Sequence, residues 1–220
     1  MNLRPCSLPI ECLALFSLAL GVTPIAAQVA DRGTLIIRSG TRDIGVESFQ
    51  LTPTATGLRL TAKASYLSPR PGVELTASLD RAGDSEGAFQ LGRKAGPSSS
   101  EIYAVLKRNR LTIRRVERGA EQASESPGGP GLILLADSVF ALYLQIIPLA
   151  TDQGQTLTAV LPQTVSRISF TAQRLPSQEP GGSLVRLTGG LEGVIQLDSH
   201  GEVIRISLPH LGLDATRKRD

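Results

Sequence analysis

Residues 57–66 read GLRLTAKASY, a stretch in which apolar and polar side chains alternate with a period of two. The apolar positions are Leu58, Leu60, Ala62, Ala64 and Tyr66. Because successive side chains of a strand point to opposite faces of a sheet, this pattern predicts a strand with one buried face and one solvated face. A parallel sheet covered on both faces would show continuous apolar runs, so the alternation indicates an antiparallel sheet.

The alternation continues on both sides of this stretch, and residues 73–79 (VELTASL) repeat it directly. The pattern predicts about a dozen strands in all. The others are residues 34–38, 46–52, 88–91, 101–107, 111–116, 156–161, 165–175, 184–187, 194–197 and 203–208. Short turns rich in Gly, Pro, Asn and Asp separate them, which is typical of hairpins joined in a meander. Residues 124–131 (SESPGGPG) are predicted to be a flexible loop within the same domain.

One segment breaks the alternation. Residues 131–150 read GLILLADSVFALYLQIIPLA, and residues 139–147 within it are apolar on nearly every side. Asp137 or Ser138 can accept bonds from free N–H groups at a helix start, and Pro148 ends or kinks the helix. A helix that is apolar all round belongs in a core or a membrane. The predicted fold is therefore mainly β: a large curved antiparallel sheet, an open half-barrel, wrapped around one short apolar helix.

The first residues have the features of a secretory signal peptide. Arg4 supplies a positive charge, residues 12–22 form an apolar run, and Ala27 is the small residue at the predicted cleavage site. A bilayer span needs about 20 apolar residues, so this run is too short for a stable membrane span. The sequence predicts a signal peptide over 1–27 and a single β-rich domain over 28–220, exported to the periplasm or secreted.

Composition and charge exclude several function classes. The chain has 220 residues, with 23 Lys and Arg against 20 Asp and Glu, and its net charge of +3 is too small to predict a nucleic-acid partner. Cys6 and Cys12 both leave with the leader, so we expect no thiol chemistry, disulfide or soft-metal site in the mature chain. The glycine-rich segments lack the Lys-Ser/Thr of a phosphate loop, and no cofactor or metal is predicted.

The two histidines do not predict a catalytic site. His200 lies beside Asp198 and Ser199, but adjacent residues in a tight turn cannot direct their side chains at one another as a triad requires. His210 has no close partner of a catalytic type. No catalytic residue is therefore predicted. A hydrolase that uses carboxylates distant in sequence stays open as an alternative, because such pairs leave no local motif.

Basic residues are concentrated in one predicted hairpin. They are Lys107, Arg108, Arg110, Arg114, Arg115 and Arg118. Two interpretations fit: contact with an anionic surface such as lipid headgroups, or a solvated hairpin whose arginines protect a sheet edge from pairing. We favour the second. The basic residues 217–219 at the C-terminus are predicted to fray, since no apolar residue anchors them.

Three further segments carry a resemblance to a known group of proteins. They are residues 43–51 (DIGVESFQL), 134–144 (LLADSVFALYL) and 193–209 (GVIQLDSHGEVIRISLP). Together with the alternating strand at 57–66, they resemble a family of exported bacterial β-domains of unknown function. The sheets of that family are similar to the open half-barrels of the lipoprotein carriers LolA and LolB. The resemblance implies an open half-barrel with no known catalytic residues.

A half-barrel leaves an apolar cavity at its mouth, which favours a binding function. We expect an exported, non-enzymatic protein that binds a lipid or another apolar or amphiphilic ligand between helix and sheet. The predicted lining residues are Phe140, Leu144 and Ile147 on the helix and Leu58, Leu60 and Tyr66 on the sheet. The same side chains serve equally well as core. A structural or envelope-interaction module, which would meet envelope proteins without a small-molecule ligand, is the first alternative, and the hydrolase is the second.

Overall fold

The computed structural model describes residues 30–67, 72–178 and 180–219. The predicted signal peptide over 1–27, with Cys6 and Cys12, lies outside the described residues. Its removal and the export of the chain therefore stay predictions.

Strands dominate the described part of the chain. They are β1 (Asp31–Ser39), β2 (Arg42–Thr54), β3 (Gly57–Tyr66), β4 (Val73–Ala82), β5 (Glu86–Ala95), β6 (Ser98–Lys107), β7 (Arg110–Glu117), β8 (Ala120–Pro127), β9 (Leu132–Leu134), β10 (Gln155–Leu161), β11 (Ser166–Pro176), β12 (Ser183–Gly189), β13 (Gly193–Leu197), β14 (Val203–Leu208) and β15 (Leu213–Arg217). A 3₁₀ helix, which we call the central helix, spans Phe140–Leu149, and a shorter one spans Pro209–Leu211.

All the strands belong to one open sheet. Its order is β8-β7-β6-β5-β4-β3-β2-β1-β15-β14-β13-β12-β11-β10-β9, so the first strand lies between the second and the last. Neighbours pair antiparallel, apart from the parallel pair of β9 and β10. This confirms the predicted fold class: a mainly β, curved, half-barrel sheet built as a meander around one short apolar helix.

The predicted alternation matches the observed burial. In β3, Leu58, Leu60 and Ala64 are buried, while Arg59 and Lys63 between them are exposed. The buried face packs on the central helix, whose first seven residues are all buried. None of the helices in this part of the chain has the length and apolar character needed to cross a membrane.

The start of the central helix differs from the prediction. Its N-cap residue is Val139, which makes no side-chain capping bond, so the predicted caps at Asp137 or Ser138 are wrong. The helix is also of the 3₁₀ type, and Pro148 lies inside its last turn. The expected capping role belongs to a residue far away in the sequence, Glu47.

Two other segments are more ordered than predicted. The flexible loop predicted at 124–131 is strand as far as Pro127, because β8 pairs along the whole of β7 without needing an apolar alternation. The C-terminal Arg217 was expected to fray, yet it ends β15, where its Nη1 donates to Asp31 Oδ1 at 2.8 Å. A buried carboxylate anchors this end of the chain in place of an apolar side chain.

Arginine side chains bridge the two ends of the open sheet. Arg167 on β11 donates to Ser126 Oγ on β8 at 2.7 Å and also to the Pro127 carbonyl. Arg115 on β7 donates to the Gln163 carbonyl at 3.0 Å, in the turn after β10. The sheet therefore curves far enough for side chains at its opposite ends to meet.

Candidate functional site

One end of the sheet carries the β2–β3, β4–β5 and β6–β7 turns. Pairing places these turns side by side, since Gly57 lies opposite Ala82 and Glu86 lies opposite Lys107. We call this end the turn rim. The C-terminal end of the central helix reaches the turn rim, whereas its first turn lies against the middle of β2.

A cavity of about 550 Å³ opens at the turn rim. Its walls are residues 53–58 of the β2–β3 turn, Arg81, Gly83 and Asp84 from the end of β4 and the following turn, Ile133 of β9, and Gln145, Pro148 and Leu149 of the central helix. This volume falls within the range of small-molecule sites, roughly 300–1,000 Å³. The walls are mainly apolar, with Arg81 and Gln145 as the polar groups on the inner side.

Arg81 lies on the inner face of β4, two residues after the buried Leu79, and its side chain reaches the cavity. It is the charged residue at which the apolar alternation of this face ends. Its guanidinium donates to the Leu132 carbonyl through Nη1 and to the Asp84 carbonyl through Nη2, the latter at 3.2 Å. Burial lowers the pKa of Arg81, and the charge of nearby Asp84 acts in the opposite direction. Arg81 makes no ion pair with any residue that the structure describes, so its charge is held by neutral carbonyls.

Gln145 is the second polar group on the wall, with 4% of its surface exposed. Its Nε2 donates to the carbonyls of Leu134 and Leu142, both at 2.7 Å. Because two carbonyls can be satisfied only by the NH₂ group, the orientation of the amide is determined. Its Oε1 is buried and has no hydrogen-bond partner among the described residues.

The residues predicted to line a ligand site occupy one hydrophobic core. Phe140, Leu144 and Leu60 are fully buried in it, and Ile147 packs at its margin. Tyr66 lies at the opposite end of β3 from the turn rim. Of these six predicted residues, Leu58 is the one that lies in the wall of the cavity at the turn rim. Ligand contact by this set stays a prediction.

Glu47 is a buried residue that the sequence reasoning missed. Its side chain has no exposed surface, and its carboxylate accepts hydrogen bonds from the backbone N–H of Phe140 at 2.9 Å and of Ala141 at 2.6 Å. Burial raises the pKa of Glu47 from 4.5 to about 7, although these two hydrogen bonds act to lower it. The signal was available, since Glu47 stands between Gly45 and Phe49 on the buried face of β2.

The basic residues of the β6–β7 hairpin are spread along β7 from one end of the strand to the other. Lys107, Arg108 and Arg110 lie at the turn rim, while Arg118 lies in the β7–β8 turn, about 25 Å away for a strand of this length. Lys107, Arg108 and Arg110 also line a shallow cavity of about 440 Å³. Val105, which is 50% exposed, lies beside them.

Three of these basic residues already have partners. Arg110 pairs with Glu125, Arg114 pairs with Glu121 at 3.0 Å, and Arg115 contacts Gln163 and Gln122. The contacts of Arg110 and Arg114 join β7 to β8 on the outer face of the sheet. Arg115 instead follows Leu111 and Ile113 on the inner face, and its contact with Gln163 reaches the turn after β10. Contact of the hairpin with an anionic surface stays a prediction.

The His200 turn has the geometry of a polar loop. Asp198 Oδ1 accepts the backbone N–H groups of His200 at 2.8 Å and Glu202 at 2.9 Å, while the His200 ring is 83% exposed. His210 Nδ1 lies 3.0 Å from the Glu192 carbonyl. Within residues 30–67, 72–178 and 180–219, no group of three or more His, Cys, Asp or Glu side chains is arranged to hold a metal ion.

Comparison with known proteins supports the fold. No protein-family model matches the chain, and no curated protein matches it. Among solved structures it is similar to a beta-barrel-like protein of domain of unknown function DUF1849 from Brucella abortus. That likeness has a TM-score of 0.52 and 9% sequence identity, and it covers 86% of this chain and 93% of the other. The chain therefore shares the fold of a bacterial β-domain of unknown function.

Proposed function

We propose that this is an exported, non-enzymatic protein that binds an apolar or amphiphilic ligand at the turn rim. The observation that carries the proposal is the cavity of about 550 Å³ between the end of the central helix and the sheet. A concave, mainly apolar site with a few convergent polar groups is the usual form of a small-molecule site. The resemblance of the sequence to exported bacterial β-domains, whose sheets are similar to the half-barrels of the lipoprotein carriers LolA and LolB, favours the same proposal.

The burial of the core residues favours one position for the proposed ligand. The core is filled around Phe140 and Leu144, both of which are completely buried. Space exists instead beside Leu58, Ile133 and Leu149. The proposed ligand therefore contacts the C-terminal end of the central helix. Of the six lining residues predicted from the sequence, only Leu58 lies at this position.

A structural or envelope-interaction module is the second candidate. The observation in its favour is the shallow cavity where half-exposed Val105 lies among Lys107, Arg108 and Arg110. An apolar side chain surrounded by cations is complementary to an acidic protein surface that also carries an apolar residue. This candidate predicts a protein partner at β6–β7 and requires no ligand in the cavity.

Native mass spectrometry tests the first proposal. The full chain is expressed in an exporting bacterial host, purified, and measured before and after incubation with a membrane lipid extract. We expect an adduct of lipid mass on the wild-type protein. Leu149→Glu places a charge where the hydrocarbon part of the ligand is proposed to lie, and it should abolish the adduct because a charged side chain does not pack favourably against hydrocarbon.

The matched control is Leu67→Glu, since Leu67 is 70% exposed and lies at the other end of β3. This variant should keep the adduct. A wild-type protein that stays free of adducts after incubation with the extract would contradict the proposal, and so would equal loss in both variants.

A further inference from the structure

Arg81 and Gln145, the polar residues on the inner side of the cavity wall, bond to the same strand. β9 pairs with β10 along one side only, and the carbonyls of Leu132 and Leu134 on its other side accept Arg81 and Gln145 respectively. Carbonyls two residues apart on a strand are separated by about 6.6 Å. The guanidinium and the amide are therefore held on the same edge of β9 by acceptors about 6.6 Å apart, a spacing that a small head group spans.

Each of the two groups has bonding capacity that the protein does not use. Arg81 Nε has no hydrogen-bond partner in the described ranges, and both Nη atoms donate to neutral carbonyls. A partly buried guanidinium without a carboxylate partner attracts an anionic group, most strongly through charge-assisted hydrogen bonds. Gln145 Oε1 is a buried acceptor without a donor, and such atoms are uncommon in folded proteins.

Asp84 is a further charged residue at the mouth of the cavity, and it limits the negative charge that a bound ligand can carry. Asp84 is exposed beside the cavity, and its carboxylate lies near Arg81 without forming an ion pair with it. It would repel a doubly charged head group about twice as strongly as a singly charged one at the same distance. A singly charged carboxylate suits this site better than a doubly charged phosphate.

From these contacts we propose that the cavity binds a carboxylate amphiphile whose head group also carries a hydroxyl or amide N–H donor. The carboxylate bonds Arg81, the donor bonds Gln145 Oε1, and the hydrocarbon chain lies against Leu58, Ile133 and Leu149. This inference rests on the proposed function and adds the class of ligand to it.

Four probes with the same twelve-carbon chain test the head group. They are 2-hydroxydodecanoate, dodecanoate, dodecanol and dodecyltrimethylammonium, each titrated below its micelle concentration into the full chain by calorimetry. We expect 2-hydroxydodecanoate to bind most tightly and dodecyltrimethylammonium most weakly, with about tenfold between the acid and the alcohol.

Variants assign each contact to its residue. Arg81→Gln should remove the preference for dodecanoate over dodecanol, and Arg81→Lys should keep part of it. Gln145→Met should remove the extra affinity that the 2-hydroxyl provides. Arg59→Gln is the matched control, since Arg59 is an exposed arginine on neighbouring β3 that pairs with Asp80 at 2.5 Å on the outer face. It should leave all four affinities unchanged.

The outcomes separate this inference from the proposed function. Equal binding of all four probes would overturn the head-group assignment and leave a purely apolar site. Tightest binding of dodecyltrimethylammonium would overturn it as well, in favour of Asp84. If none of the probes binds, the proposed function fails for chains of this length, and this inference fails with it. The ranking on the wild-type protein decides the matter even where a variant does not fold.

Discussion

The two ends of the central helix are built differently. At the first turn, both oxygens of Glu47 accept backbone N–H groups of the helix, and the carboxyl is fully buried. At the last turn, Gln145, Pro148 and Leu149 border a cavity of about 550 Å³, and Gln145 Oε1 finds no partner in the described part of the chain.

This difference indicates which end of the helix serves the fold and which end suits the proposed binding. A carboxylate that is enclosed by protein and bonded through both oxygens fixes the helix against β2. A cavity bordered by an unused acceptor and an unpaired guanidinium leaves both space and bonding capacity. Substitutions at Glu47 should therefore change stability, and substitutions at Gln145 should change ligand binding with little effect on stability.

The largest effect is expected from Glu47→Ala. It leaves the N–H groups of Phe140 and Ala141 buried without an acceptor and creates a cavity beneath the helix. Together these changes should lower the free energy of unfolding by about 4 kcal/mol at pH 5. Urea unfolding measures the change. Glu74→Ala, at an exposed position of β4, is the control and should unfold as the wild type does. Equal stability of the two variants would contradict the capping role of Glu47.

The next effect is a dependence of stability on pH. Because burial raises the pKa of Glu47 from 4.5 to about 7, stability should be fully present below pH 4.5 and should fall as pH rises through 7, by about 3 kcal/mol in total. Urea unfolding between pH 4.5 and 8 measures the fall. Glu47→Gln keeps one acceptor oxygen and removes the titration, so it should flatten this part of the profile. The same fall in Glu47→Gln would assign it to another group.

A smaller effect distinguishes two buried tyrosines. Tyr66 donates its hydroxyl hydrogen to the Ser138 carbonyl at 2.8 Å, while the Tyr143 hydroxyl has no partner in the ranges described. Tyr66→Phe should therefore lose about 1 kcal/mol, whereas Tyr143→Phe should be as stable as the wild type or slightly more so. Thermal unfolding of the two variants compares them directly. A larger loss in Tyr143→Phe would show that its hydroxyl is bonded in solution.

The smallest effect on stability is expected from Gln145→Met. The variant loses two hydrogen bonds to carbonyls but also removes an acceptor that has no donor, so the net change should stay below about 1 kcal/mol. Urea unfolding tests this beside the Glu47 variants. A loss as large as that of Glu47→Ala would remove the contrast between the two ends of the helix.

The sequence was sufficient for the parts of the fold that periodicity controls. The alternation of residues 57–66 correctly predicted the buried face of β3, and the mainly apolar run at 139–147 correctly predicted a helix in the core. It was insufficient where a distant polar residue supplies the stabilising contact. Glu47 caps a helix that begins 93 residues later, so no local pattern around Asp137 or Ser138 indicates it.

The site was harder to predict for a related reason. The cavity depends on how three turns and a helix end meet, and the apolar pattern marks core and cavity walls alike. Its polar groups did leave a trace, since Arg81 and Gln145 interrupt otherwise apolar faces. A charged or amide side chain at an inward position is therefore a more specific signal than the apolar residues around it.

Hydrogen–deuterium exchange of the full chain, with and without 2-hydroxydodecanoate, tests the contrast between the helix ends most directly. We predict that the ligand slows exchange in residues 54–58 and 145–149 and leaves residues 140–142 and the neighbouring part of β2 unchanged. Slower exchange at the first turn of the helix, without any change at the turn rim, would contradict the assignment of binding to the C-terminal end.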